Sequence, residues 1–458
     1  MSNHNTTLLA LILAMALIRG VIYAAVVPPW QAPDEPAQFE RAKASLSNTD
    51  WYSTSANQPA WYGDLIQSLF IFDFWGFVDN PRPTYQPELP LNHYIILYHE
   101  AYGGLYGSRL AYAMIGWPLL FASNKDITYQ LYWVRLNNVL MNVAIILLAW
   151  LITQTIFPNN FFLGWGVPLL ILFNPQHTHL LSTVNNGNLA ELLSTLALYY
   201  IVKGIMGGFS APIIGAILLS SLLAMWTKAT AYFLPFTLAA LLFQRAIYPG
   251  YHRSTHSGTS YWRGWLAPKW MLLASLILFG LIYWVIPQRL TTLISNAFTF
   301  LIHDGLYLDP IVPLDLFRSF WAYPGWFSIL LPDFWYGLLA IFCLIALVGL
   351  IRHAIQAFPL VPNHNPQIYT LLTLAIAIVT AMAILLSWNA ATHSTVYRQG
   401  RSIYPVIVPI SLFLMLGWQQ LIPSKWRSLS LLMLTLTFFL FDSLVLLDYI
   451  IPFFYSRI

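Results

Sequence analysis

Asp34 and Glu35 stand side by side in the segment Pro33-Asp34-Glu35-Pro36-Ala37-Gln38-Phe39, directly beyond the first long apolar run of the chain. A carboxylate at the point where a chain leaves a bilayer borders a low-dielectric region, and its basicity is tuned by those surroundings. Such a group suits a general base that deprotonates an acceptor hydroxyl. The same residues also read as a helix start, with Asp34 as N-cap, Pro36 in the first turn and negative charge at the positive end of the dipole. Cations of complementary chemistry come much later. Lys228, Arg398 and Arg401 sit at the ends of apolar runs, suited to holding a phosphate or to carrying their charge out to the interface. Arg401 is the best placed, because Gly400 lets backbone approach closely and Tyr397 and Tyr404 flank it.

The elements that must position these groups are transmembrane helices. Of 458 residues, 58% are hydrophobic, 8% charged and 16% aromatic, with a mean hydropathy of +0.63. Apolar runs of roughly 20 residues recur, the length a helix needs to cross hydrocarbon. The pattern predicts an all-α polytopic membrane protein forming one transmembrane domain over 1–458. Eleven spans are expected, near 7–28, 131–157, 161–181, 188–204, 209–226, 228–247, 269–287, 335–352, 367–388, 403–421 and 429–450. With a cytoplasmic amino terminus, the inner loops hold Lys203, Arg245, Arg253, Arg263, Lys269, Arg352, Lys425 and Arg427 and no carboxylate. That is the positive-inside pattern. Fourteen of the seventeen carboxylates then fall on the outer side, and the carboxyl terminus is outside. The net charge of +4 is small and locally distributed, so nucleic acid is not a partner. The single cysteine, Cys343, lies in an apolar run and allows no intrachain disulfide.

Two outer loops are long. The first, 29–130, should carry structure of its own, beginning with a short amphipathic surface helix after Asp34. Its aromatic stretch from Trp51 to Phe77 reads either as an interfacial belt or as rings for sugar faces. The second, 288–334, sets Tyr307, Trp321, Tyr323 and Trp326 beside Asp304, Asp309 and Asp315.

The order of these segments resembles the GT-C superfamily of membrane glycosyltransferases, in particular the protein O-mannosyltransferase and aminoarabinose transferase branch and related bacterial membrane proteins. The Asp-Glu opening of the first outer loop is the most specific match. Leu89-Pro90-Leu91-Asn92-His93-Tyr94 is similar to the Pro-Pro-Leu-Tyr-Tyr stretch of that family. Trp226-Thr227-Lys228-Ala229-Thr230 resembles its lysine at an outer helix junction, and Gln399-Gly400-Arg401-Ser402-Ile403-Tyr404-Pro405 resembles its Gly-Arg-Tyr segment entering a late span. The resemblance implies a GT-C-like fold in the plasma (inner) membrane with its active site on the extracytoplasmic side. It implies transfer of a sugar from a polyprenyl-phosphate donor to a glycan, lipid or protein acceptor, with inversion. In that frame Asp34 and Glu35 are catalytic, Lys228, Arg398 and Arg401 bind the donor phosphate, and His93, Tyr94, Tyr397 and Tyr404 line the substrate. Membrane lipids are the remaining partners.

One departure bears on the site. Several relatives place an acid in the short outer loop between the third and fourth spans, whereas this chain reads Val184-Asn185-Asn186-Gly187-Asn188-Leu189-Ala190-Glu191. Glu191, one turn further in, is a candidate second acid, or it pairs with a cation of a neighbouring helix. No cofactor is called for. Some members of the superfamily use a divalent cation and others do not, so the resemblance leaves a metal open. The histidines supply no ligand set: His177 and His179 are two apart and point to different helix faces, and His252 and His256 lie in a basic inner loop. A transporter or flippase of lipid-linked sugars is the rival class, predicting charges deep inside several spans and related halves. A GT-C-like assembly subunit without activity is a third reading.

Overall fold

The computed structural model describes residues 3–47, 61–77, 84, 86, 108–247, 295, 311–357, 365–392 and 398–456. Among these the chain is helical throughout, with no strand. In chain order the α-helices of seven residues or more are α1 (Asn3–Val26), α2 (Glu35–Ser47), α3 (Trp61–Ile71), α4 (Arg109–Gly116), α5 (Ile127–Ile156), α6 (Phe161–Leu172), α7 (Pro175–Leu181), α8 (Asn186–Gly207), α9 (Ala211–Thr227), α10 (Phe233–Ile247), α11 (Ile311–Trp321), α12 (Asp333–Ala357), α13 (Pro366–Thr392), α14 (Ile407–Leu421) and α15 (Arg427–Leu444). A 3₁₀ segment, Gly400–Val406, leads into α14.

Among the described residues seven helical stretches are long and apolar enough to cross a membrane, and α6, α9 and α10 are shorter apolar helices. The protein is an all-α membrane protein on this evidence of length and composition. The span expected at 269–287 lies outside the described residues. Small residues set a close helix crossing: a Cβ at Gly349 of α12 would run into the backbone of Gly417 on α14, and one at Gly417 into the backbone of Ala346 on α12.

Two expectations change. The span drawn over 161–181 is broken. After α6, which contains Pro168, the chain turns at Phe173 and restarts as α7, where Asn174 Oδ1 accepts from the His177 N–H at 3.0 Å. The break exposes the Leu172 carbonyl, and Arg19 Nη1 of α1 donates to it. The same guanidinium pairs with Asp442 of α15 through Nε at 3.0 Å, and Tyr23 donates to that carboxylate at 2.8 Å. These two deep charges therefore neutralise one another beside a helix break. The second change is α2, expected as an amphipathic surface helix. It is buried along most of its length, Glu40 and Arg41 included. Gly116 explains the cover, since a Cβ there would lie 2.9 Å from that of Ala42; its absence lets α4 close over α2.

The helix ends sort into two groups. At one end α5, α6, α13 and α14 meet: Gln367 Nε2 donates to the Ile156 carbonyl at 2.9 Å, and Gln419 Nε2 to Asn160 Oδ1 at 3.0 Å. At the other, the C-terminal end of α1, α2, the start of α8, the α9–α10 junction and the Gly400–Val406 segment converge. Tyr455 donates to the Val26 carbonyl at 2.9 Å, which puts the short helix Ile451–Tyr455 at this second end too.

Candidate functional site

The acid pair is split by its backbone. Asp34 has φ +66°, in the left-handed region, and α2 starts at the next residue. As a result the two neighbouring side chains leave in different directions.

Glu35 turns inward and is 0% exposed. Its Oε1 accepts from Arg135 Nε at 2.8 Å and from the Val184 N–H at 3.1 Å. Its Oε2 accepts from Arg135 Nη2 at 2.5 Å and from the Trp30 N–H at 3.1 Å. Arg135, on α5, also donates to the carbonyls of Ala24, Val27 and Pro28 at 2.6–2.9 Å, satisfying groups at the end of α1. Glu35, expected to be catalytic, is thus a strut that ties α1, α2, α5 and the α7–α8 turn together.

Asp34 instead reaches Arg401 across 367 residues of sequence, Oδ2 to Nη2 at 2.7 Å, with side-chain exposures of 23% and 13%. Gly400 makes this approach possible, although not toward a ligand: a Cβ there would meet the backbone of Leu316 and Phe320 on α11. Its N–H donates to Ser319 Oγ at 2.7 Å, so the Arg401 backbone is seated on α11.

Lys228 belongs to the same cluster. It sits between α9 and α10, and its Nζ lies 3.5 Å from Asn185 Oδ1. Burial pushes its ammonium down to about 8; Arg401 adds to that shift and Asp34 opposes it. A Cβ at Gly187 would fall 3.1 Å from Lys228 Nζ, so the loop that lacks the expected acid is the one facing this lysine. Asn186 ties the loop to the roof: its N–H donates to Gln38 Oε1 and its Nδ2 to the Tyr112 hydroxyl, both at 3.2 Å. Arg41 and Asp34 both act on Tyr112.

Among the described residues, Arg401 Nη1 and Asn185 Nδ2 are buried donors without a hydrogen-bond partner. Orphaned donors beside two cations are the complement of an anion with several oxygens. A divalent cation fits this donor set poorly. Asp34 is held by Arg401, Glu35 by Arg135 and Glu191 by His177, and no group of three or more metal-ligating side chains converges among the described residues.

The chain matches no protein-family model, no curated protein and no solved structure.

Other expected residues divide as follows. Glu191, the candidate second acid, is buried on α8 with its Oε1 2.7 Å from His177 Nε2, so that its partner is a histidine rather than the lysine or arginine of the alternative reading. Tyr404 is buried, its ring edge-on to His177 at 5.2 Å and its hydroxyl donating to the Phe320 carbonyl at 2.9 Å; that hydroxyl is committed to the scaffold. Arg398 lies three residues before Arg401 and is partly buried. His93, Tyr94 and Tyr397 lie outside the described residues. Asn185, Gln38 and Tyr112 escaped the sequence reading, for which an asparagine-rich turn and a glutamine inside a helix carry no chemical signal.

Beside Gly400 an almost wholly apolar cavity of about 350 Å³ opens between α11, α12, α13 and α14, lined by Leu316, Phe320, Cys343, Met382, Leu386 and Ile403 among others. One edge of the cationic cluster thus adjoins a space with the chemistry of a hydrocarbon chain.

Proposed function

We propose that this protein is a membrane glycosyltransferase of GT-C type, moving a sugar from a polyprenyl-phosphate donor to an acceptor hydroxyl at the extracytoplasmic face of the plasma membrane. The observation that carries the reading is the Asp34–Arg401 contact with Lys228 and the orphaned donors around it. A carboxylate, two cations and an apolar cavity are the three environments that such a donor and its acceptor require. Lys203, Arg352, Lys425 and Arg427, near helix ends away from this one, support its extracytoplasmic orientation.

In this reading the donor phosphate takes Arg401 and Lys228, with its prenyl tail in the cavity beside Gly400. Drawing the guanidinium onto phosphate releases Asp34 Oδ2. The acceptor oxygen attacks the anomeric carbon from the face opposite the phosphate, and its proton passes to the Asp34 carboxylate. The bond from the anomeric carbon to the phosphate oxygen breaks, and its electron pair stays on the phosphate, where Arg401 and Lys228 offset the charge. The product is inverted, and the polyprenyl phosphate remains in the membrane.

The experiment is incubation of the purified chain in lipid nanodiscs with a panel of polyprenyl-phosphate sugars and short acceptors, followed by mass analysis. Transfer by the native chain that is lost in Asp34→Asn, with membrane insertion intact, supports the reading. Full transfer by Asp34→Asn removes the base, and movement of the lipid across the bilayer without transfer turns the assignment to a flippase.

A further inference from the structure

His179 of α7 is completely buried, and the reaction above gives it no part. The N–H of Gly325 donates to its Nε2 at 3.2 Å. That contact requires a lone pair on Nε2, which puts the ring proton on Nδ1. A second proton would set one N–H against another.

The element that enforces this tautomer is itself unusual. Gly325 has φ 68° and ψ −155°, a region open to glycine and almost nothing else. The turn that carries it is docked on α7 by two further bonds. Tyr323 N–H donates to Gln176 Oε1 at 2.7 Å, and Asn174 Nδ2 donates to the Phe320 carbonyl at 3.0 Å. A backbone turn that only glycine can make and three converging contacts hold one histidine in one protonation state. Yet its Nδ1–H has no hydrogen-bond partner among the described residues. A buried donor without an acceptor is costly and rare.

The ring lies within electrostatic reach of Arg135 and Arg401, the guanidiniums that hold Glu35 and Asp34. Its helix packs on the Gly400–Val406 segment, where the His177 ring meets that of Tyr404 at 5.2 Å, so His179 Nδ1 joins Arg401 Nη1 and Asn185 Nδ2 as a buried donor without a partner on the elements that build the Asp34–Arg401 contact. We infer that His179 is a third, neutral donor of the anion site, giving its Nδ1–H to a phosphate oxygen of the lipid-linked substrate. The inference rests on the reading of that site as one for a polyprenyl phosphate. A neutral donor adds direction where two cations supply charge, and fixes which oxygen faces the acceptor.

Two substitutions separate this role from scaffolding. His179→Asn keeps a donor where Nδ1 was and gives up the acceptor for Gly325. His179→Gln keeps an acceptor in reach of Gly325 and gives up the Nδ1 donor. Binding of a polyprenyl monophosphate to the full chain in nanodiscs is measured by native mass spectrometry, and the ring ¹⁵N and Nδ1 proton resonances are followed in histidine-labelled native protein. The expected result is a Nδ1–H tautomer whose proton moves downfield on binding. Affinity should drop about ten- to a hundredfold in His179→Gln and within about threefold in His179→Asn. Native binding with an unmoved Nδ1 resonance and an unweakened His179→Gln overturns the inference and leaves the site's reading standing. Equal loss in both variants with an unmoved resonance makes His179 a plug for the Gly325 turn and likewise overturns it. Absence of binding by the native chain overturns the reading of the site itself.

Discussion

Glu35→Gln should unfold what Asp34→Asn leaves standing. The Glu35 carboxylate accepts four N–H groups, two on each oxygen: Arg135 Nε and Val184 N on one, Arg135 Nη2 and Trp30 N on the other. An amide supplies one oxygen, so in either orientation its NH₂ faces two buried donors. Orphaning a buried donor costs about 1–3 kcal/mol, and stripping one partner from a buried ion pair costs about 3–5 kcal/mol. Both routes put the loss at several kcal/mol. Adding Arg135→Met should recover only part of it, because that arginine also serves the Ala24, Val27 and Pro28 carbonyls. The Asp34–Arg401 pair is partly exposed, and its loss should cost no more than about 1 kcal/mol. Thermal melting of each variant in nanodiscs, followed by tryptophan fluorescence and by retention of a monodisperse peak, reads the difference. Native-like melting of Glu35→Gln, or collapse of Asp34→Asn, would refute the division of the acid pair into strut and site.

Lys228 sets a pH limit. Its ammonium, lowered to about 8 by burial, is charged below that value and neutral above it, so affinity for a polyprenyl phosphate should fall as pH rises through about 8. Lys228→Arg should flatten that limb, since arginine stays charged; an identical limb in the variant would assign the titration elsewhere. Gly400→Ala would drive a methyl into the backbone of Leu316 and Phe320, at a cost of about 1–3 kcal/mol. Lipid-phosphate affinity should drop with it, and native affinity and stability together would contradict the seating of Arg401 on α11. Gly187→Asp would set a carboxylate beside Lys228 and compete with phosphate. About tenfold weaker binding is expected, on the scale of one ion pair in a partly buried setting, and tighter binding would mean that Lys228 does not meet the anion.

Hydropathy made the spans legible, because a helix in hydrocarbon must be apolar around its whole circumference and long enough to cross. It could not show where a helix breaks. Pro168 is tolerated within α6, while the actual break falls at Phe173–Asn174, where the signal is an asparagine cap and a distant arginine that takes the freed carbonyl. The surface helix after Asp34 was legible as a helix and not as a buried one, since its cover depends on Gly116, some seventy residues further along the same outer segment. Reading Asp34 and Arg401 as partners was within reach of sequence because each sits at a span end, and parity of spans puts both ends on one side.

The difference between Asp34 and Glu35 was out of reach for a more basic reason. Adjacent carboxylates have the same charge, nearly the same reach and the same position relative to the membrane, so composition and spacing cannot rank them. One backbone angle separates them: φ of +66° at Asp34 sends its side chain toward Arg401, while the helix that begins at Glu35 carries the next one into the interior. There Arg135, in the third turn of α5 and its one charged residue, is the group that decides. A fully buried arginine in a membrane helix demands a carboxylate and several carbonyls, and Glu35 together with the end of α1 meets that demand. The strut is therefore what orients the acid that meets Arg401. By anchoring α2 at its first residue, the Glu35–Arg135 pair fixes the turn from which Asp34 projects, so the buried acid and the one that meets Arg401 depend on each other through a single peptide bond.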